Sequence, residues 1–182
     1  MAIRDIVLFP NKILTKKCRP VEGVDSEVRE LVDDMIETMY DAPGVGLAAP
    51  QVGVPQRITV IDTSAGEEEG ELHVFINPEI IEREGVIRWE EGCLSIPGVY
   101  ENVDRSARVV VRALDRDGEP FELEATELLS VCIQHEIDHL DGVLFLDHLS
   151  RLKRRIVLKK YKKQLAKMAR KEAEDEDEQP RS

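Results

Sequence analysis

The feature that most constrains the fold is a change in the period of the hydrophobic pattern along the chain. Short β-branched runs that alternate in polarity, with Gly, Pro, Asn or Asp between them, predict strands joined by local turns. These runs cover residues 57–62, 72–78, 85–89, 107–115 and 120–125. The segments on both sides follow a helical period near 3.6. Because the strands are grouped and do not alternate with helices, the sequence predicts an α+β fold with short antiparallel sheets.

Three helices are predicted around these strands. The first runs from an N-cap at Ser26 to a break at residues 41–44. The second begins near Thr126 and ends before Gly142, which can take the left-handed conformation. The third covers about residues 150–171. We expect the sheets to pack around the second helix, and residues 44–56, with three glycines and two prolines, to form an ordered loop.

The length and the charge pattern predict one domain with a tail. A chain of 182 residues fits a single domain, which we place at residues 1–171. The net charge is −12, yet residues 151–171 carry eleven Lys or Arg and no acid. Residues 172–182 carry six acids and one Arg. That last segment is too polar to be buried, and it is predicted to be a disordered tail.

The cysteines and the hydrophobic runs predict a cytoplasmic protein. Cys18, Cys93 and Cys132 are odd in number and irregular in spacing, which argues against a secreted disulfide framework. The N-terminal apolar run is too short for a signal peptide. No segment approaches the roughly 20 apolar residues that a membrane span needs. We therefore expect no membrane association.

The strongest chemical pattern is His135-Glu136-x-x-His139 within the second predicted helix. Residues four apart share a helix face at a distance of about 6 Å, so the two imidazoles can bind one divalent cation. Glu136 lies one residue further round the helix, close enough to reach a water at that cation, which gives it the position of a general base. The alternative is a chance match in a charged helix, with both histidines solvated.

A third ligand is needed to decide between these interpretations. A thermolysin-like site would use a downstream Glu, but the later glutamates lie only in the acidic tail. A metzincin pattern would need His where Phe145 stands, and His148 comes three residues late. Cys132 is not excluded, although it would place all three ligands in one row with His135. Because a tetrahedral site needs ligands from different directions, we favour Cys93.

Three segments together resemble the peptide deformylase family. Its motifs have the forms GxGxAAxQ, EGCLS and QHExDHLxG, and they occur in order at residues 44–51, 91–95 and 134–142. The likeness covers about residues 1–170. It implies hydrolysis of the N-formyl group of the N-terminal formylmethionine of newly synthesised polypeptides, with release of formate.

The resemblance also implies roles for single residues. The metal ligands are Cys93, His135 and His139, with water as the fourth ligand. That water attacks the formyl carbon while Glu136 acts as general base and then as acid. The oxyanion donors are the Gln51 side chain and the Leu94 backbone N–H. The metal implied is Fe²⁺, which Zn²⁺, Ni²⁺ or Co²⁺ can replace.

Further residues are predicted to bind substrate or to support the site. Glycines 44 and 46 allow close approach of a substrate backbone, and Val45 and Gly46 are predicted to hydrogen-bond it. Helix periodicity places three pocket candidates on the face of His135, with ordinary helix core as the alternative: Leu128, Val131 and Cys132. Trp89 either lines this pocket or packs in the core. Glu91 and Arg105 form a hypothetical buried pair beside Cys93, whereas His73 and His148 are interpreted as structural or surface residues.

The basic segment 151–171 has two interpretations. One is a helix that packs an apolar face on the domain and offers cations to the ribosome, the use that the resemblance implies; the other is a solvated face. Two rival functions also remain, namely an HExxH metallopeptidase and an RNA- or ribosome-associated protein with a structural metal. The expected partners are nascent N-formylmethionyl polypeptides and the ribosome, and the expected oligomeric state is a monomer.

Overall fold

The structure is a computed structural model that describes residues 1–67 and 70–178. It contains three α-helices and seven strands, together with 3-10 turns at Lys12–Thr15, Ala49–Val52 and Phe145–His148. In chain order the elements are α1 Ser26–Asp41, β1 Gly46–Ala48, β2 Ile58–Ile61, β3 His73–Glu84, β4 Ile87–Cys93, β5 Ile96–Arg105, β6 Arg108–Leu114, β7 Pro120–Thr126, α2 Glu127–Leu140 and α3 Arg151–Glu178. The predicted α+β class is confirmed.

The strands form two antiparallel sheets. The larger has five strands in the order β1-β2-β3-β6-β7, which leaves β1 at one edge. The smaller is the β4–β5 hairpin, in which Cys93 pairs with Ile96 across a tight corner. The residues between β6 and β7 turn where the sequence predicts a hairpin, since the N–H of Gly118 donates to the carbonyl of Asp115. Every strand pair in these sheets is antiparallel, as predicted.

Two apolar clusters hold the helices on the larger sheet. Met35 and Met39 of α1 are fully buried against β1 and β2, where Val60 is also fully buried. Ile133 of α2 packs with Val111 of β6 in the second cluster. Burial of each such side chain contributes about 1.5–3 kcal/mol. These contacts pack α1 and α2 on the larger sheet.

A third cluster joins α3 to the hairpin. Val157 and Tyr161 are 2% exposed and pack with Ile96 and Val99 of β5. The Tyr161 hydroxyl also donates to the carbonyl of Phe9 at 2.7 Å. The first half of α3 is therefore built into the core that supports the hairpin. Beyond residue 168, side chains are exposed as far as residue 177.

The structure differs from the sequence-based expectation at four places. The N-cap of α1 is Asp25, not Ser26, and its side chain accepts from the Val28 N–H at 2.9 Å. The predicted loop contains strand β1 and a 3-10 turn, and strand β5 was not predicted. The predicted disordered tail is helical as far as Glu178, because α3 is already nucleated and Glu and Ala propagate a helix at little cost. Residues 179–182 lie outside the described residues.

Within residues 1–67 and 70–178, none of the helices combines the length and the apolar content that a bilayer span requires.

Candidate metal centre and catalytic cavity

Helix α2 brings the two predicted histidines to one point. The Nε2 atoms of His135 and His139 lie 3.2 Å apart, and the side chains are buried. The helix ends as predicted, with Gly142 at φ +73°. A Cβ at this glycine would lie 2.6 Å from the carbonyl oxygen of Thr15, so no other residue fits here without a backbone shift.

The corner of the β4–β5 hairpin supplies the sulfur. Cys93 Sγ lies 3.4 Å from His139 Nε2, and the donor atoms of Cys93, His135 and His139 all lie within 4.8 Å of one another. Tetrahedral ligands at usual bond lengths are about 3.3 Å apart for two nitrogens and about 3.6 Å for sulfur and nitrogen. The three donor atoms therefore fit a single divalent ion.

Cys132, the alternative ligand, lies outside this group of donors. Its thiol is buried, and burial, followed by the nearby Glu136 and Glu91, raises its pKa to about 12. A thiol binds metals as the thiolate, which such a pKa opposes. The structure therefore distinguishes the two candidate cysteine ligands, which residue spacing alone could not do.

Glu91 orients His135 from behind. One carboxylate oxygen lies 2.8 Å from His135 Nδ1, which leaves Nε2 to face the cysteine. Arg105 donates to both carboxylate oxygens at 2.8 Å, so the hypothetical buried pair is confirmed. Burial alone would raise the pKa of Glu91, but the hydrogen bonds from Arg105 and His135 lower it to about 2. The carboxylate stays ionised and holds the imidazole in one tautomer.

Glu136 is a buried carboxylic acid next to a glycine. Burial, with a further contribution from the Glu91 charge, raises its pKa to about 7. Its Oε2 atom has no hydrogen-bond partner among the described residues, so it is available to a water or a substrate. A Cβ at Gly46 would lie 2.6 Å from the other oxygen. The absence of a side chain at Gly46 is therefore what makes room for the acid.

The Gln51 amide is held with its NH₂ group toward the sulfur. Its oxygen accepts from the Ala48 N–H at 2.9 Å, and its nitrogen lies 3.2 Å from Ser95 Oγ and 3.6 Å from Cys93 Sγ. The contacts with Ala48 and Ser95 fix which end of the Gln51 amide faces Cys93. A neutral hydrogen-bond donor therefore lies beside the three atoms that could bind a metal.

A cavity of about 520 Å³ opens over these groups. Predicted residues that line it are Val45, Gly46, Gln51, Trp89, Cys93, Leu94, Leu128, Val131, Cys132, His135 and Glu136. The Val45 carbonyl already accepts from the Asp62 N–H at 2.9 Å, so this oxygen belongs to the sheet. Val45 and Leu128 also pack against the α2 core, so pocket and core share these side chains.

Sequence reasoning missed the outer wall of the cavity. This wall includes Pro97, Gly98 and Tyr100 of the unpredicted strand β5. The Tyr100 ring packs over Gly92, where a Cβ would lie 2.6 Å from the ring. Gly92 was the one signal for this wall in the sequence, because a side chain at this position would displace the Tyr100 ring.

A Cys/His/His donor set on a helix and a hairpin, next to a buried acid and inside an apolar cavity, defines a metal-dependent hydrolase. The comparisons with known proteins agree with this class. Residues 3–155 match the family model of polypeptide deformylase. A peptide deformylase of Hydrogenovibrio crunogenus is 56% identical over 165 residues, which cover 91% of this chain and 96% of that protein.

Solved structures give the same result. The crystal structure of a peptide deformylase from Legionella pneumophila has a TM-score of 0.89 and 49% identity, covering 93% of this chain and 99% of that chain. That of the Ehrlichia chaffeensis enzyme in complex with actinonin has a TM-score of 0.84 and 41% identity, covering 90% and 98%. The chain belongs to the peptide deformylase family. It is a hydrolase that removes the formyl group from N-terminal formylmethionine.

We predict that Gly46→Ala impairs turnover without unfolding the protein. The new methyl group displaces the Glu136 carboxylate, and a shift of this size near the reacting atoms lowers kcat/KM by about 10²-fold. Deformylation of formyl-Met-Ala-Ser, coupled to formate detection, measures the change. Gly23→Ala is the control, since a Cβ at Gly23 meets nothing within 4 Å. Equal rates for both variants would contradict the steric argument.

Proposed function

We propose that Cys93, His135 and His139 bind one divalent ion and that Glu136 moves the proton during deformylation. The observation that carries this proposal is the convergence of three donor atoms within 4.8 Å. A buried acid with an unpartnered oxygen on the same cavity supports it. The rival metallopeptidase function is disfavoured, because Phe145 stands at the position of the third metzincin histidine and a phenyl ring has no donor atom for a metal.

We assign Fe²⁺ as the native ion. When bound, such an ion supplies a Lewis acid that activates a water and polarises the formyl carbonyl. The thiolate and the two imidazoles also suit Zn²⁺, Ni²⁺ and Co²⁺, so the assignment rests on family likeness and not on the donor atoms.

Glu136 accepts the proton of the attacking water and then gives it to the departing amine. A general base works best when its pKa lies near the working pH, and burial brings the pKa of Glu136 to about 7. The same carboxyl group therefore serves both proton transfers. The products are formate and a free N-terminus.

Gln51 and Leu94 stabilise the oxyanion that develops on the formyl oxygen. The Gln51 amide nitrogen is fixed toward Cys93, and the backbone of Leu94 follows that cysteine at the hairpin corner. Donors that are in place before the reaction stabilise the transition state without further reorganisation.

The substrate methionine occupies the apolar part of the cavity. Leu128, Val131 and Cys132 line this part on α2. Strand alternation supports a backbone contact at Gly46, because the carbonyl of the preceding Val45 already accepts from the Asp62 N–H. The peptide would lie along the edge of β1.

The partners are nascent N-formylmethionyl polypeptides in the cytoplasm. The enzyme acts on them as a monomer that docks on the ribosome. A groove of about 480 Å³ on α3 supports the docking, since it is formed by Leu158 and five cations. The cations are Arg151, Arg154, Arg155, Lys159 and Lys162. Such a row of cations suits the phosphates of ribosomal RNA.

We predict that Glu136→Gln abolishes most activity while the metal is retained. The amide keeps the shape of the acid but cannot take a proton, so kcat falls by about 10²–10⁴-fold. Elemental analysis and the formyl-Met-Ala-Ser assay are done on the same sample. Glu122→Gln, a surface change on β7, is the control. Full activity of the Glu136 variant would refute the assigned proton transfer.

The two cysteines are predicted to respond differently to substitution by serine. After anaerobic purification, Cys93→Ser loses its metal because a hydroxyl replaces the thiolate, whereas Cys132→Ser keeps about one ion per chain. The same samples, reloaded with Fe²⁺ or Zn²⁺, identify the more active ion. Metal loss confined to Cys132→Ser would overturn the ligand set.

Ribosome affinity is predicted to depend on the α3 groove. Replacement of Arg155, Lys159 and Lys162 by Ala removes about three phosphate contacts and lowers the salt dependence of binding accordingly. Sedimentation with purified ribosomes at several salt concentrations measures this. Alanine at the exposed Lys12, Lys16 and Lys17 is the matched control. Equal losses in both triple variants would show only a general effect of charge.

A further inference from the structure

We propose that His148 is a positioning residue for the metal centre, an inference that rests on the proposed ligand set. Its ring does not join the three donor atoms. Instead its Nε2 lies 2.7 Å from Asp138 Oδ2, and Asp138 directly precedes the ligand His139 on α2. The sequence alone suggested a surface or structural role.

A continuous series of hydrogen bonds connects His148 to the other ligand on α2. Asp138 Oδ2 accepts from Arg105 Nη1 at 2.6 Å. Arg105 then donates twice to Glu91, whose carboxylate contacts His135 Nδ1 at 2.8 Å. Each bond has a fixed direction, so the position of the first ring restrains the last one.

The small number of donors that face the two carboxylates gives His148 its importance within this series. Two carboxylates, Glu91 and Asp138, share the single guanidinium of Arg105, whose side chain is 4% exposed. The imidazole N–H of His148 supplies a second hydrogen bond to Asp138. His148 Nε2 also lies 3.2 Å from Arg105 Nη1, which limits the space into which the guanidinium can move.

The segment that carries His148 is itself held in place. His148 is the last residue of the 3-10 turn Phe145–His148. Phe145 is buried, and its ring stacks on the His135 ring with 6.3 Å between the ring centroids. Asp147 closes the start of this turn by accepting from the Leu144 N–H at 2.9 Å. The imidazole is thus presented to Asp138 by an anchored turn, although its side chain is 37% exposed.

The test compares metal release from Co²⁺-loaded proteins. The visible and thiolate-to-metal absorption of Co²⁺ reports both the rate of loss to a chelator and the ligand geometry. His148→Leu removes the donor, while His148→Gln restores an amide N–H at a similar distance. His73→Leu, the matched control, makes the same change on β3.

We expect His148→Leu to release Co²⁺ faster by a factor on the order of ten, with a shifted spectrum, as for other residues that orient ligands. His148→Gln and His73→Leu should stay within about twofold of the unmodified protein. Unchanged release from His148→Leu would overturn the proposal. So would equally fast release from His148→Gln, because then loss of the ring, and not of the N–H donor, would be the cause.

Failure of the ligand set is distinguishable from failure of this proposal. If the unmodified protein does not bind one Co²⁺ per chain, the proposed metal centre is wrong, and His148 has nothing to position. If it binds one ion but His148→Leu behaves like the unmodified protein, only the role of His148 is refuted. Unfolding of each loaded variant in urea separates metal release from loss of the fold.

Discussion

The two hydrogen bonds between Arg105 and Glu91 are the interaction on which the rest of the site depends. Both side chains are 4% exposed, and burial of two charges is costly unless they are paired and fully hydrogen-bonded. Here the pair joins β5 to β4 across the hairpin and reaches α2 through His135. The cysteine comes from the hairpin and both histidines come from the helix, so this contact sets the distance between the two sources of donor atoms.

Much of the fold followed from periodicity, and the errors have physical causes. Helices α1 and α2 have apolar spacings that no strand would tolerate, and they were predicted within a few residues. Strand β5 was missed because Pro97 and Gly98 interrupt an otherwise alternating pattern, which resembles a loop when the packing of α3 is not known. Strand β1 has only three residues and depends on its pairing with β2.

The candidate site was predictable where contacts are local or where motifs repeat a family pattern. The spacing of His135 and His139 fixes their shared face on any helix. The choice of Cys93 over Cys132 was a geometric preference, and the structure supplies the distance that spacing could not. The contact of His148 with Asp138 requires the chain to reverse at Gly142, and the packing of Tyr100 on Gly92 requires β5. Neither could be derived from residue order alone.

The position of β1 at the edge of its sheet affects how broadly the enzyme can act. One side of this strand pairs with β2, while the other borders the cavity at Gly46. A peptide that adds itself to such an edge is held through main-chain groups, which are the same in every polypeptide. Side-chain selection is then left to the apolar part of the cavity beside Glu136. The architecture suits an enzyme that distinguishes the N-terminal residue and holds the rest of the peptide through its main chain.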